Sequence, residues 1–161
     1  MILDLKKLKR SGKDSSGFFF EYSPQTELLD LPQAKIVLPI KINGTVTLTG
    51  EHSAYIEAEV AFAVAGECTR CLKGTTKEFT LDFSEAVEEN NVDGYSVKND
   101  TVDLTKMVDD IITINSPTNF LCDENCKGVC QRCGVNLNSE ICSCKKEIDP
   151  RFESLLGLLD D

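Results

Sequence analysis

The 161-residue sequence contains no tryptophan, one histidine, two methionines and five prolines. Without Trp, and with eight Phe and three Tyr, the aromatic mass available to a core is modest, so part of the stability is expected to come from elsewhere. With His52 as the only histidine, a Cys-His nucleophile pair and a His-Glu-x-x-His metal site both lack material. His52 falls in a polar turn and is read as solvated. A glycine-rich phosphate loop is also missing, and no enzyme is predicted. No stretch approaches the ~20 apolar residues of a membrane span. The first ten residues are broken by Asp4, Lys6 and Lys7 and do not read as a secretory leader. A cytoplasmic protein with reduced thiols and no membrane association is therefore expected.

Cysteine, by contrast, is plentiful and clustered. Cys68 and Cys71 lie mid-chain, and Cys122, Cys126, Cys130, Cys133, Cys142 and Cys144 share one short segment. Every cysteine belongs to a close pair, which is how thiolates are presented to a tetrahedral metal. Zinc is preferred over disulfides because repeated two-residue spacings seldom bridge in one scaffold, and over iron because all-thiolate knuckles in small domains are usually structural zinc. Cys130 and Cys133, followed by Gly134, form a zinc knuckle that Cys142 and Cys144 can close, giving one local site. Cys68, Cys71, Cys122 and Cys126 then make a second site, stapling a mid-chain turn to the later segment. Closure over ~50 residues is tolerable because its entropic cost grows only logarithmically. A rival grouping of Cys122, Cys126, Cys130 and Cys133 is not excluded by spacing.

Charge is uneven within a net of -10. Residues 1–13 carry +4 through Lys6, Lys7, Lys9, Arg10 and Lys13 against Asp4, and residues 78–110 carry -8, densest at Glu85, Glu88 and Glu89. Either segment can serve a partner or simply keep the protein soluble.

The hydrophobic pattern predicts an α+β protein: an antiparallel β-meander, open or barrel-like, with two or three helices and a C-terminal zinc-knuckle segment. Ile2 to Leu8 fits strand or helix. Phe18 to Tyr22 reads as a short strand. Ala34 to Thr49 alternates as a long strand with a bend or bulge at Asn43 and Gly44, and Tyr55 to Val64 returns as its hairpin partner. Thr75 to Phe83 follows, placing Cys68 and Cys71 at a hairpin tip. Asn90 to Asn99 reads as a loop. Asp103 caps a helix carrying Leu104, Met107, Val108, Ile111 and Ile112, with Asp109 and Asp110 on its solvent face. Asp149 and Pro150 open a last helix with Phe152, Leu155, Leu156, Leu158 and Leu159 on its apolar side. Residues 1–117 are expected to form the β-rich domain with the basic arm and acidic helix region, and 118–161 a cysteine-rich segment and helix packed upon it.

The stretch from Leu121 to Asn138, with Cys142, Cys144 and the run from Asp149 to Phe152, resembles the C-terminal signature of the YceD/YlbN family of large ribosomal RNA subunit accumulation proteins. Cys68, Thr69, Arg70, Cys71 and Leu72 match its other hallmark, so the resemblance spans nearly the whole chain. It implies a non-enzymatic factor in accumulation or processing of large-subunit ribosomal RNA, and it brings no catalytic residue. Two mechanisms compete. Direct contact with large-subunit rRNA through the knuckles and Lys6, Lys7, Lys9 and Arg10 is opposed by electrostatics, because residues 120–151 balance to zero and each four-thiolate zinc adds about -2. Engagement of a basic large-subunit ribosomal protein or assembly factor by the acidic segment at Glu85, Glu88 and Glu89 is preferred. A metal-stapled structural subunit of another complex is the third reading.

Overall fold

A computed structural model describing residues 1–24, 27–89, 91 and 94–144 contains strand β1 (Ile2–Asp4), helix α1 (Leu5–Arg10), strands β2 (Ser15–Tyr22), β3 (Ala34–Gly50), β4 (Ser53–Glu67), β5 (Gly74–Glu89), β6 (Ser96–Val97) and β7 (Thr101–Asp103), and helix α2 (Leu104–Ile114). The main sheet runs β2-β3-β4-β5-β6, and β1 pairs with β7 in a separate two-stranded ribbon. The meander β2 to β5 is antiparallel throughout.

Alternation along β4 explains how the sheet chooses its core side. Ala54, Ile56, Ala58, Val60, Phe62 and Val64 are buried, whereas Tyr55, Glu57 and Glu59 between them face solvent. Ile40, Ile42 and Val46 of β3, Phe83 and Val87 of β5, and Leu104, Met107, Val108 and Ile112 of α2 join the same cluster, with Phe62 stacked on Phe79 at 5.5 Å. α2 forms because Asp103 accepts a hydrogen bond from the Thr105 N–H at 2.8 Å and because its apolar residues recur at helical spacing.

The sheet is open, and the barrel-like alternative is corrected. β6 is two residues long and meets β5 only at Glu88 and Glu89, in parallel, while α2 and the β1–β7 ribbon supply the apolar surface that a closed barrel would take from its own strands. No bulge occurs at Asn43 and Gly44 either. Pairing passes through them in register to Glu59 and Ala58, and the irregularities fall between Val37 and Lys41 and between Leu48 and Gly50. Gly44 is needed for packing instead, since a Cβ there would lie 2.6 Å from Ala58 Cβ and 2.7 Å from Phe18 Cζ.

The residues from Ile2 to Leu8 divide into β1 and the start of α1, and the expected loop holds β6. Asp109 and Asp110 are half-buried rather than on a solvent face. They accept hydrogen bonds from Tyr22 Oη at 3.1 Å and Tyr95 Oη at 3.0 Å, clamping α2 to the sheet. Burial, then these bonds, push both tyrosine hydroxyls up to about 12. Among the described residues no helix is long and apolar enough to cross a membrane. The expected helix from Pro150 to Leu159 lies outside the described residues.

Candidate metal centres

The eight thiols gather into two groups of four: Cys68, Cys71, Cys122 and Cys126, and Cys130, Cys133, Cys142 and Cys144, with the sulfurs of each group within 4.8 Å of one another. The rival grouping is thereby divided between the two. All eight cysteines are free. Four sulfurs bound to a zinc at about 2.3 Å would stand roughly 3.8 Å apart in a tetrahedron. Cys68 and Cys126 Sγ are 3.8 Å apart and Cys71 and Cys122 Sγ 3.5 Å in the first group. In the second, Cys133 and Cys142 Sγ are 3.6 Å apart, and Cys130 and Cys142 Sγ 3.3 Å. The donor set and its spacing fit a tetrahedral, thiolate-preferring divalent metal.

Both groups are built on one local device. In the first, the Leu72 N–H donates to the Cys68 carbonyl at 2.9 Å and the Cys68 N–H to the Lys73 carbonyl at 2.9 Å. In the second, the Gly134 N–H donates to the Cys130 carbonyl at 2.8 Å and the Cys130 N–H to the Val135 carbonyl at 2.9 Å. The reversal needs a left-handed residue one place past the second cysteine: Gly134 has φ 73° there, and Leu72 takes the same position at φ 59° with its side chain 58 % exposed.

The surroundings differ. Cys68 and Cys71, at the tip of the β4–β5 hairpin, and Cys126, in the segment that follows α2, are buried. The Thr69 N–H donates to the carbonyl of the buried Phe120 at 2.8 Å, the Arg70 guanidinium donates to the Cys126 carbonyl at 3.1 Å, and the Val129 N–H donates to the Arg70 carbonyl at 3.1 Å. In the second group Cys133 is exposed and Cys130, Cys142 and Cys144 are half-buried.

The thiols are polarised against one another. Burial is the largest influence on Cys68 and pushes it up, yet the backbone groups of Cys122, Cys71 and Arg70 draw it down to about 6. Burial is also the largest influence on Cys126, which the Asn138 side chain and the Gly128 backbone nevertheless draw below its ordinary value. Cys122 is pushed up to about 12, first by the Cys71 sulfur and then by burial. Cys71 is raised, the Lys73 backbone pulling down against burial and the Cys68 and Cys126 sulfurs. In the second group the backbone of Cys133 and Arg132 draws Cys130 down to about 6, and the Cys142 and Cys133 sulfurs push Cys144 up to about 12. Sulfurs this close resist bearing four negative charges together, and a divalent cation removes the resistance.

The charged candidates are scattered. Lys6, Lys7 and Arg10 are exposed on or beside α1, but Lys9 is half-buried, its ammonium 2.5 Å from Asp100 Oδ1 and also donating to the Glu51 carbonyl. Glu85 shares the core-facing side of β5 with Val87 and is half-buried, while Glu88 is exposed on the other side and Glu89 is exposed at the strand end. His52 lies in the turn between β3 and β4 and is exposed, as expected, with Nδ1 3.5 Å from Glu89 Oε2 and 3.8 Å from Asp100 Oδ1. Arg70, Leu72 and Asn138 were not singled out by spacing. A signal existed for Arg70, since both knuckles carry Arg at their third position, Arg70 and Arg132.

Residues 56–159, which include all eight cysteines, match the profile of the family described as large ribosomal RNA subunit accumulation protein YceD. The chain belongs to the YceD family. An uncharacterized protein of Mycobacterium tuberculosis is 32 % identical over 115 residues, covering 65 % of this chain and 55 % of that protein. The chain thus spans about half the length of that relative. A chloroplastic protein of Arabidopsis thaliana named large ribosomal RNA subunit accumulation protein YCED homolog 1 is 37 % identical over 58 residues, 36 % of this chain and 18 % of the relative. Its namesake in Zea mays is 27 % identical over 73 residues, 45 % and 25 % respectively. No solved structure matches. The two cysteine groups are therefore embedded in the part of the chain that carries the YceD relationship.

Proposed function

We propose that this YceD-family chain supports accumulation of large-subunit ribosomal RNA as a non-enzymatic binding protein, stapled by two zinc ions and engaging a basic large-subunit ribosomal protein or assembly factor. The observation that carries the protein-partner reading is how folding distributes charge. Part of the basic arm is used internally, with Lys9 held by Asp100 and the amino terminus 3.6 Å from Asp103, whereas Glu57, Glu59, Asp82, Glu88 and Glu89 stay exposed. Two four-thiolate zinc sites add about -4 more. Such a surface repels phosphate and speeds encounter with cations. The exposure of Lys6, Lys7 and Arg10 supports direct rRNA contact as the second reading.

Binding of the purified protein to purified large-subunit ribosomal proteins, and separately to naked large-subunit rRNA fragments, measured across salt concentrations, tests the choice. Expected are weak RNA binding and a several-fold slower association with the basic partner at low salt when Glu88 and Glu89 become Gln. Tight, salt-sensitive RNA binding that is lost when Lys6, Lys7, Lys9 and Arg10 are neutralised together would overturn it.

A further inference from the structure

The two cysteine groups meet through one side chain. The ribbon that closes the second group, bridged at Val129 and Asn136, returns past the first, and Asn138 Nδ2 donates to Cys126 Sγ at 3.4 Å. The second Nδ2 hydrogen goes to Asn136 Oδ1 at 2.9 Å, and Asn138 Oδ1 accepts the Lys127 N–H at 2.8 Å. Only this orientation of the amide satisfies its surroundings, because the reverse would aim an oxygen at a thiolate and leave the Lys127 N–H facing a donor. The adjoining backbone is fitted to the same contact. Gly128 has φ +77°, and a Cβ there would stand 3.1 Å from the Arg70 carbonyl, while the Leu137 N–H donates to the Gly128 carbonyl at 3.0 Å.

We propose that Asn138 is a positioning residue coupling the two metal centres: metal in the Cys130–Cys144 group fixes the ribbon so that Asn138 hydrogen-bonds Cys126, and the first centre holds its metal more tightly as a result. The inference rests on the metal reading above. A ligating thiolate that accepts an N–H bond is stabilised in its ionised, correctly oriented form, and loss of such outer contacts typically weakens a metal site 10–100-fold. Coupling of binding free energies is reciprocal, so the filled first centre also favours the second. The exposed group thereby acts as a latch on the buried one.

The test follows zinc leaving the reduced, metal-loaded protein into an excess of a chromophoric chelator, with Cys133→Ser identifying the phase that belongs to the first centre. Asn138→Asp keeps the acceptor for the Lys127 N–H but loses the donor, and Asn138→Ala loses both. Each is expected to speed first-centre release about tenfold. Glu140→Ala, an exposed change further along the same segment, should leave it unchanged. Cys133→Ser should speed first-centre release to a similar extent, and adding Asn138→Asp to it should change little more. In cobalt-substituted protein, Asn138→Asp should move the sulfur-to-metal charge-transfer band to lower energy, which a merely structural contact would not do. First-centre release within twofold of the parent in both Asn138 variants overturns the coupling, as do effects of Asn138→Asp and Cys133→Ser that simply multiply. If Asn138→Asp fails to fold, Asn138→Ala decides the matter, alone and combined with Cys133→Ser. Reduced protein isolated without metal removes the metal reading itself, a different failure from bound zinc indifferent to Asn138.

Discussion

The two cysteine groups have the same donors and the same knuckle, yet different positions in the fold. The first joins sulfurs 58 residues apart in sequence, Cys68 and Cys126, inside packed surroundings, and the second spans 12 residues between Cys130 and Cys142 near the surface. Loop length alone separates them by only about 1.4 kcal/mol of closure entropy. Larger differences come from what surrounds the sulfurs. Removing the first centre is expected to expose a buried hairpin tip and release the segment behind Phe120, whereas removing the second frees a ribbon whose hydrogen bonds run mainly to residues 126–128 beside it. A metal site's share of stability is thus decided by what it ties together, not by its ligands.

The largest expected effect breaks the first member of the pair. Cys68→Ser should lose that metal and cost on the order of 4 kcal/mol, by analogy with a covalent link closing a loop of this size. Thermal unfolding should fall by about 10 °C or more, while Cys133→Ser, also losing its metal, should shift the midpoint far less and confine lost amide protection to residues 127–144, which include the Lys127 N–H held by Asn138. Equal shifts from the two substitutions would contradict the comparison.

Acidification comes next and acts on both centres. Without metal, the raised thiols of the first group are Cys71 and Cys122 and those of the second are Cys142 and Cys144, so each incoming metal displaces at least two protons at neutral pH. Retained protons compete with metal, so affinity falls as pH falls, by on the order of a hundredfold per unit when two protons are displaced. Calorimetric titration in buffers of different ionisation enthalpy counts those protons directly. Fewer than two protons per metal at pH 7 would contradict this and show that some of these thiols are already ionised.

The smallest effect sharpens the comparison at the left-handed position. Leu72→Gly should relieve a backbone cost of about 1 kcal/mol and raise the unfolding midpoint by a few degrees, and Gly134→Leu should impose a similar cost on the second knuckle alone. Zinc content with the midpoint, measured for both variants, checks this. A lower midpoint for Leu72→Gly would mean that the leucine side chain contributes contacts outweighing the strain.

Much of the fold was legible in the sequence because its signals are local. Alternation in β3 and β4 set the meander, Asp103 with its apolar spacing located α2, and the pairing of cysteines announced thiol clusters that could hold a metal. The failures have physical reasons. Gly44 reads as a bend or bulge because glycine permits both, but here it makes room for the Phe18 ring. Glu85, Glu88 and Glu89 look like one patch in a linear sequence, and strand alternation sends the first toward the core while Glu88 stays outside. Asp109 and Asp110 carry the pattern of a solvated helix face because nothing in their neighbourhood indicates that Tyr22 and Tyr95 will meet them.

By itself the amino-acid sequence determined the strand and helix periodicities, the two knuckles and the acidic excess, since each depends on residues a few positions apart. Only the tertiary structure decided between the groupings of sulfurs that spacing left open, which of the two groups is buried, and that Asn138, in the ribbon of the second group, touches Cys126 of the first. The first two outcomes depend on Cys68 and Cys71 at the β4–β5 hairpin tip meeting Cys126 and Cys122, 58 and 51 residues later, and local spacing carries no information about that distance in space.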